Sequence, residues 1–195
     1  VVLAAGEGTR MKSARPKVLH GFAGRSLLDH VLVASGPLDA ERTLVVIGYG
    51  RDDVQAHLDR TGPPVTTVVQ EQQSGTGHAV RLALEALPDE AEGTIVVLPG
   101  DTPLLRPASL LELLAEHRRG GAMATMLTSI VDDPSGYGRV IRSGERVERV
   151  VEQRDANAAE RAVKEIAAGV YAFDGSALRD ALGRLSTENA QGEEY

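Results

Sequence analysis

Cysteine is absent from the 195-residue chain, so neither a disulfide framework nor a thiolate metal site can form. That absence fits a cytoplasmic location. Long apolar runs are missing too: nothing approaches the roughly 20 consecutive residues needed to cross a bilayer. No charged-then-apolar leader with a cleavage site opens the chain, and no low-complexity tract resists packing. Positive charge is in deficit, with a formal net charge of −7. A nucleic-acid partner would want a basic face, so neither nucleic acid nor membrane is expected to bind. Lysine is scarcest of the charged residues, with only Lys12, Lys17 and Lys164.

The deficit is uneven. Residues 1–25 hold Arg10, Lys12, Arg15, Lys17 and Arg25 against Glu7 alone. A basic island in an acidic protein points to a small anionic ligand. The length suits one α/β domain with a sizeable core and hardly two. Val1 opens directly into the strand-like run Val1-Val2-Leu3-Ala4-Ala5, so the chain is expected to be a piece truncated at both ends.

Short β-branched runs recur at Val1–Ala4, Thr43–Ile47, Val65–Val69 and Thr94–Leu98, continuous in hydrophobicity as strands buried on both faces should be. Between and after them Ser26–Ser35, Asp52–Arg60, His78–Leu87 and Ala108–Arg118 repeat apolar residues at three and four, with Leu110, Leu111 and Leu114 facing inward in the last. This alternation predicts a Rossmann-like α/β fold, a doubly wound and mostly parallel sheet. Beyond about residue 121 the rhythm changes. Ala124–Ile130, Gly138–Ile141, Val147–Val151 and Ile166–Phe173 read as strands joined by turn-rich links, with a closing helix over Gly175–Leu185. We expect one domain with two lobes: residues 1–120 for nucleotide, and a mixed β extension, 121–195, laid over the sheet for a sugar.

The first strand runs into Leu3-Ala4-Ala5-Gly6-Glu7-Gly8-Thr9-Arg10. In an open α/β sheet ligands bind outside the carboxyl ends of the strands, which is where this loop lies. Small residues at Ala4, Ala5, Gly6 and Gly8 let backbone N–H groups approach phosphate closely. Arg10 adds a planar donor fork and Lys17 a mobile point charge. Pro16 fixes its own φ and drives Arg15 extended, so Lys17 leaves on a constrained path. Two other glycine loops are excluded. Met11 stands where a dinucleotide fingerprint needs its third glycine, and no Gly-Lys pair exists for a P-loop. A plain glycine-rich turn with solvated charges is the competing reading.

The segment Leu3–Arg10 followed by Arg15-Pro-Lys-Val-Leu-His20 resembles the signature of the sugar nucleotidyltransferases, and more closely that of the bacterial N-acetylglucosamine-1-phosphate uridyltransferases. The likeness continues through Gln70–His78, Gly100-Asp101, Asp133–Arg139, Val151–Asp155 and Asn189-Ala-Gln-Gly192. It implies a nucleotidyl-transfer enzyme that uses UTP and N-acetylglucosamine 1-phosphate to make UDP-N-acetylglucosamine for cell-wall synthesis. The loop Leu3, Ala4, Ala5, Gly6 and Gly8 would then bind substrate, with Arg10, Lys17 and Asp101 as the catalytic groups.

Asp101 ends the strand Thr94–Leu98, and a carboxylate there suits Mg²⁺, which takes few oxygens from protein and the rest from phosphate and water. Asp101 could instead merely order the turn. The resemblance implies that it is one of two protein ligands, the other an Asn beyond Tyr195. A carboxamide pairs donor with acceptor, as a uracil edge requires. The resemblance implies that Gln70, Gly75 and Thr76 touch the uridine and that Gln73 lies nearby; Gln73 and Gly100 are counted with them as substrate-binding. Gly75 and Gly77 would let backbone approach a flat base. Thr76 near a helix start is the structural alternative, and His78 reads as helix-start packing. For the sugar the resemblance implies Gly138, through its backbone, and Glu152. A third family contact is an Asn in a Glu-Ile/Val-Asn-x-Gly segment, which here reads Glu165-Ile166-Ala167-Ala168-Gly169. Ala167 cannot bond through its side chain, so sugar identity stays open.

The nucleophile of such a reaction is already anionic, so positioning and charge stabilisation suffice. A different sugar 1-phosphate and a non-catalytic nucleotide-sugar sensor are the rival readings. The related bifunctional enzymes carry a C-terminal β-helix that acetylates and forms trimers. No hexapeptide-type repeat occurs here, so the parent is expected to be a homotrimer and this piece a monomer.

Overall fold

The computed structural model describes residues 1–88 and 93–194; within this range the side chains of Arg10 and Thr61 lie outside the described residues. Strand β1 (Val2–Ala4) is followed by a small hairpin, β2 (Gly21–Phe22) and β3 (Arg25–Ser26), which the sequence patterns did not suggest. Helix α1 (Leu27–Ser35) begins where Ser26 and Asp29 cap each other's backbone N–H groups, an arrangement worth about 1 kcal/mol. Next come β4 (Leu44–Ile47), α2 (Arg51–Thr61), β5 (Thr66–Val69), α3 (Thr76–Glu85), β6 (Thr94–Pro99) and α4 (Pro107–Gly120). The second half comprises β7 (Ala124–Ile130), β8 (Arg139–Ser143), β9 (Arg146–Val151), the short α5 (Ala158–Arg161), β10 (Glu165–Asp174) and α6 (Gly175–Leu182).

The order β5-β4-β1-β6 is parallel throughout. Helices α1, α2 and α4 cover one face, burying Leu28, Val31, Val54 and Leu110 against Val2, Ala4, Val45 and Ile47. Helix α3 covers the other face through Ala79 and Ala83, and with α6 it builds a cluster of Val80, Leu84, Val97, Leu178 and Leu182. Each buried Val, Leu or Ile side chain among these contributes about 1.5–3 kcal/mol. This is the expected doubly wound α/β sheet.

Three details correct the sequence reading. Leu111 is 45% exposed, and Leu113 turns inward beside Leu110 and Leu114; the inward stripe of α4 takes the i+3 and i+4 positions, not the adjacent one. Strand β5 is not buried on both faces: it forms the sheet edge and Val69 is 40% exposed. The extension does not lie over the sheet but continues it. β10 pairs antiparallel with β6 through Tyr171–Asp174, and with β7 on its other side. A bulge between Ala167 and Tyr171, with Gly169 at φ 74°, bends β10 away from β6 so that Ile166 meets Arg139 of β8. Bulges of this kind re-aim a strand next to a site.

Candidate active site

The carboxyl ends of β1, β5 and β6 open onto one cleft of about 1120 Å³, as topology dictates for an open parallel sheet. Its floor is the first loop, with Leu3, Ala4, Ala5, Gly6 and Gly8 all lining it. The two glycines serve different ends. Among the described residues, apart from its own chain neighbours, no atom lies within 4 Å of where a Cβ on Gly6 would stand, so that position faces the cleft. Gly8 sits at φ 67°, and a Cβ there would be 2.6 Å from the Cβ of Lys17. Its missing side chain therefore makes room for the lysine stem, at a φ that only glycine adopts freely.

Lys17 is placed by its own neighbours. Pro16 is buried and leads into a single 3-10 turn, Lys17–Leu19, anchored by buried Val18 and Leu19. The Lys17 ammonium forms an ion pair with the Asp101 carboxylate, and both side chains are about three-tenths exposed (31% and 26%). Two residues 84 positions apart in sequence thus meet in one cleft. Gly100, just before Asp101, donates its N–H to the Leu3 carbonyl at 2.8 Å, and a Cβ there would meet that same oxygen. This contact holds the Asp101 turn against the first loop.

Asp101 offers the cleft one carboxylate, which pairs with Lys17. Among the described residues no group of three or more His, Asp or Glu could hold a metal. A Mg²⁺ here would rest on Asp101 and on ligand oxygens, the pattern typical of phosphate-bound magnesium.

The segment after β5 forms the next wall, through Gln70, Gln73, Gly75 and Thr76. Gln70 is only 3% exposed; its Nε2 donates to the Gly75 carbonyl at 3.1 Å and lies 3.1 Å from His78 Nδ1. His78 Nδ1 is also 3.1 Å from the Gln72 carbonyl. The carboxamide and the imidazole therefore pin the loop from inside. Thr76 opens α3, two residues earlier than the apolar pattern suggested.

Gly75 and Gly77 have a reason the sequence did not reveal. A Cβ on Gly75, at φ 105°, would be 2.2 Å from the Glu194 carbonyl oxygen, and one on Gly77 would be 2.4 Å from Leu185. The segment Asn189–Glu194 docks here. Gly77 donates to the Glu194 carbonyl, Glu194 donates to the Ser74 carbonyl, and Arg81 grips both Glu194 carboxylate oxygens at 3.0 Å. Glu193 is brought to the cleft lining in consequence.

The far wall comes from the second half: Ser135, Gly136, Tyr137 and Gly138, and the β10 bulge Ala167-Ala168-Gly169. Glu152 stands behind Gly138, not on the lining: its Oε1 is 2.9 Å from where a Gly138 Cβ would be. Burial pushes its carboxyl up, with Asp155 and Glu193 adding to that and Arg139 pulling against it. The side chain of Arg10 lies outside the described residues. Tyr137 and Glu193 were not singled out from the sequence; Tyr137 falls inside the Asp133–Arg139 motif that carried the resemblance, and Glu193 follows directly on the motif Asn189–Gly192.

A family model described as a MobA-like NTP transferase domain matches residues 1–189. This chain belongs to that family. Along its whole length it is similar to the bifunctional protein GlmU of Streptomyces coelicolor, at 55% identity, spanning 41% of that protein. With the bifunctional protein GlmU of Mycobacterium bovis identity is 48%, again over 100% of this chain and 40% of the relative. The chain thus spans about two fifths of the curated relatives it matches. Among solved structures, a putative glucose-1-phosphate thymidylyltransferase from Bacillus anthracis superposes with a TM-score of 0.74 at 20% identity, over 95% of this chain and 77% of that one. HddC from Yersinia pseudotuberculosis complexed with GMP-PN gives a TM-score of 0.69 at 20% identity, over 98% and 80%. At that identity the likeness is one of fold. No described helix is long and apolar enough to cross a membrane.

Proposed function

We propose that this domain transfers a uridylyl group from UTP to N-acetylglucosamine 1-phosphate, giving UDP-N-acetylglucosamine and pyrophosphate for cell-wall precursor synthesis in the cytoplasm. The observation that carries this reading is the Lys17–Asp101 pair across a cleft whose other walls are a glycine loop and a glutamine-bearing loop. Identity to the GlmU proteins over the full chain supports it.

In the proposed reaction a phosphate oxygen of the sugar attacks the α-phosphorus of UTP. A new P–O bond forms, and the bond to the β-phosphate bridging oxygen breaks as pyrophosphate leaves. No proton need be removed from the nucleophile, so the protein's task is alignment and charge compensation. Backbone N–H groups around Gly6 would cradle the triphosphate, and Lys17 would follow the charge developing on it. Asp101 would hold Mg²⁺, which supplies charge neutralisation between the two anions. Arg10 is assigned the same charge-compensating role as Lys17. Residues 1–120 would serve the nucleotide and 121–195 the sugar, within one domain. In the parent protein trimer assembly would lie outside this piece.

The test is calorimetric titration with UDP-N-acetylglucosamine, UDP-glucose, UTP, CTP and GTP in the presence of Mg²⁺. Preference for UDP-N-acetylglucosamine supports both base and sugar; preference for CTP or GTP overturns the uridyl assignment. Ala167 on the cleft lining favours a second reading, a different sugar 1-phosphate. If N-acetylglucosamine 1-phosphate is the acceptor, Ala167→Asn tightens its binding by about fivefold, the worth of one added neutral hydrogen bond of about 1 kcal/mol. Unchanged affinity in that titration means another side chain makes the contact.

A further inference from the structure

Arg139 is among the largest fully buried side chains of the protein, 1% exposed. It stands directly behind the far wall of the cleft. One guanidinium nitrogen donates to the Tyr137 carbonyl and another to Gln153 Oε1. Gln153 Oε1 also accepts from the Gly136 N–H at 3.4 Å. The Gly138 carbonyl is taken by the Ala167 N–H at 3.0 Å, which ties the same turn to the β10 bulge. Gly136, Tyr137, Gly138 and Ala167 all line the cleft, whereas Arg139 and Gln153 do not. The guanidinium also acts attractively on the half-buried Glu152 carboxyl.

A buried arginine is a poor choice for stability alone, because an apolar side chain of similar volume usually serves as well or better. This one even leaves its Nε without a partner among the described residues. What the planar fork does supply is two fixed donor directions at once, which no apolar residue and no lysine can match. Those directions are spent on holding the 136–138 turn.

We propose that Arg139 is a positioning residue for the acceptor: through Tyr137 and Gln153 it sets the turn that the sugar 1-phosphate meets, without touching the sugar. The proposal rests on the uridyl-transfer reading above. Its role is confined to the acceptor side, since neither partner belongs to the first loop or to the Gln70–Thr76 segment.

The experiment uses the full-length protein and pyrophosphate release, with Michaelis constants for both substrates and a thermal midpoint. Arg139→Met is expected to raise the KM for N-acetylglucosamine 1-phosphate about tenfold, the worth of a charge-assisted hydrogen bond, and to leave the KM for UTP unchanged. Arg139→Lys recovers part of that loss. Gln153→Ala keeps Arg139 in place and shows the same one-sided change in smaller measure; it decides the matter if Arg139→Met does not fold. A rise in both KM values together, or a lowered midpoint with neither KM altered, overturns the proposal. Should the wild-type enzyme turn over only another sugar 1-phosphate, the uridyl-acceptor reading fails, and the same split is measured on that sugar.

Discussion

Lys17 and Asp101 show how much of this site is decided by single residues. Each depends on a glycine: Gly8 leaves room for the Lys17 stem, and Gly100 lets the Asp101 turn close on the first loop. Because both side chains remain partly exposed, their ion pair contributes about 1 kcal/mol or less to stability. Their proposed role in charge compensation is worth far more. Lys17→Ala and Asp101→Ala in the full-length protein should therefore each lower turnover about 100-fold or more, while the thermal midpoint barely moves. Pyrophosphate release and a melting curve on the same samples check this. Near-normal release from either variant removes that residue from the mechanism.

At the scale of elements, two joints give separate predictions. The segment 189–194 is seated on the start of α3 through Gly75 and Gly77. Gly75→Ala puts a methyl group into the Glu194 carbonyl and forces a non-glycine residue to φ 105°, costing at least about 1 kcal/mol. The expected result is early proteolytic cleavage within 186–194; unchanged protection would show that the segment is held elsewhere. The second joint ties α1 to α2. His57 Nε2 lies 2.9 Å from Asp29 Oδ1 and 3.2 Å from Ser26 Oγ. Both contacts staple the start of α1 to α2.

Burial alone would raise the Asp29 carboxyl, but hydrogen bonds from His57 and Ser26 outweigh it and hold the group below its ordinary value. The unfolded chain then binds more protons on the acid side. Asp29 accordingly stabilises the fold above the ordinary aspartate range, about pH 4, and that stabilisation is lost as pH falls through the depressed value. Urea midpoints taken down through about pH 4 should decline in the wild type and decline less in Asp29→Asn. Parallel curves would show that the staple does not carry the acid sensitivity.

The whole molecule is organised by one sheet that changes from parallel to antiparallel at β6 and β10. Val170 and Ala172 of β10 share a core with Val2, Val45 and Leu110, and α6 shares another with α3. Cores that interlock in this way should melt together. Denaturant unfolding followed by far-UV dichroism and by tyrosine fluorescence is expected to give coincident single transitions. Two separated transitions would mean that residues 1–120 and 121–195 are independent units.

Much of this was legible in the residues themselves. The α/β alternation, the glycine loop at the end of the first strand, the carboxylate after Thr94–Leu98 and the change of rhythm near residue 121 are local patterns, set by side-chain periodicity and turn chemistry. The partnership of Lys17 with Asp101, the pairing of β10 with β6 and the seat of 189–194 on Gly75 are not local. Each joins segments far apart in sequence, and periodicity records which face a residue turns toward, not which distant residue it meets there. Gly75 makes the difference concrete. Its lack of a side chain is visible in the sequence, but the carbonyl oxygen of Glu194 that requires it is brought there only by the folded chain.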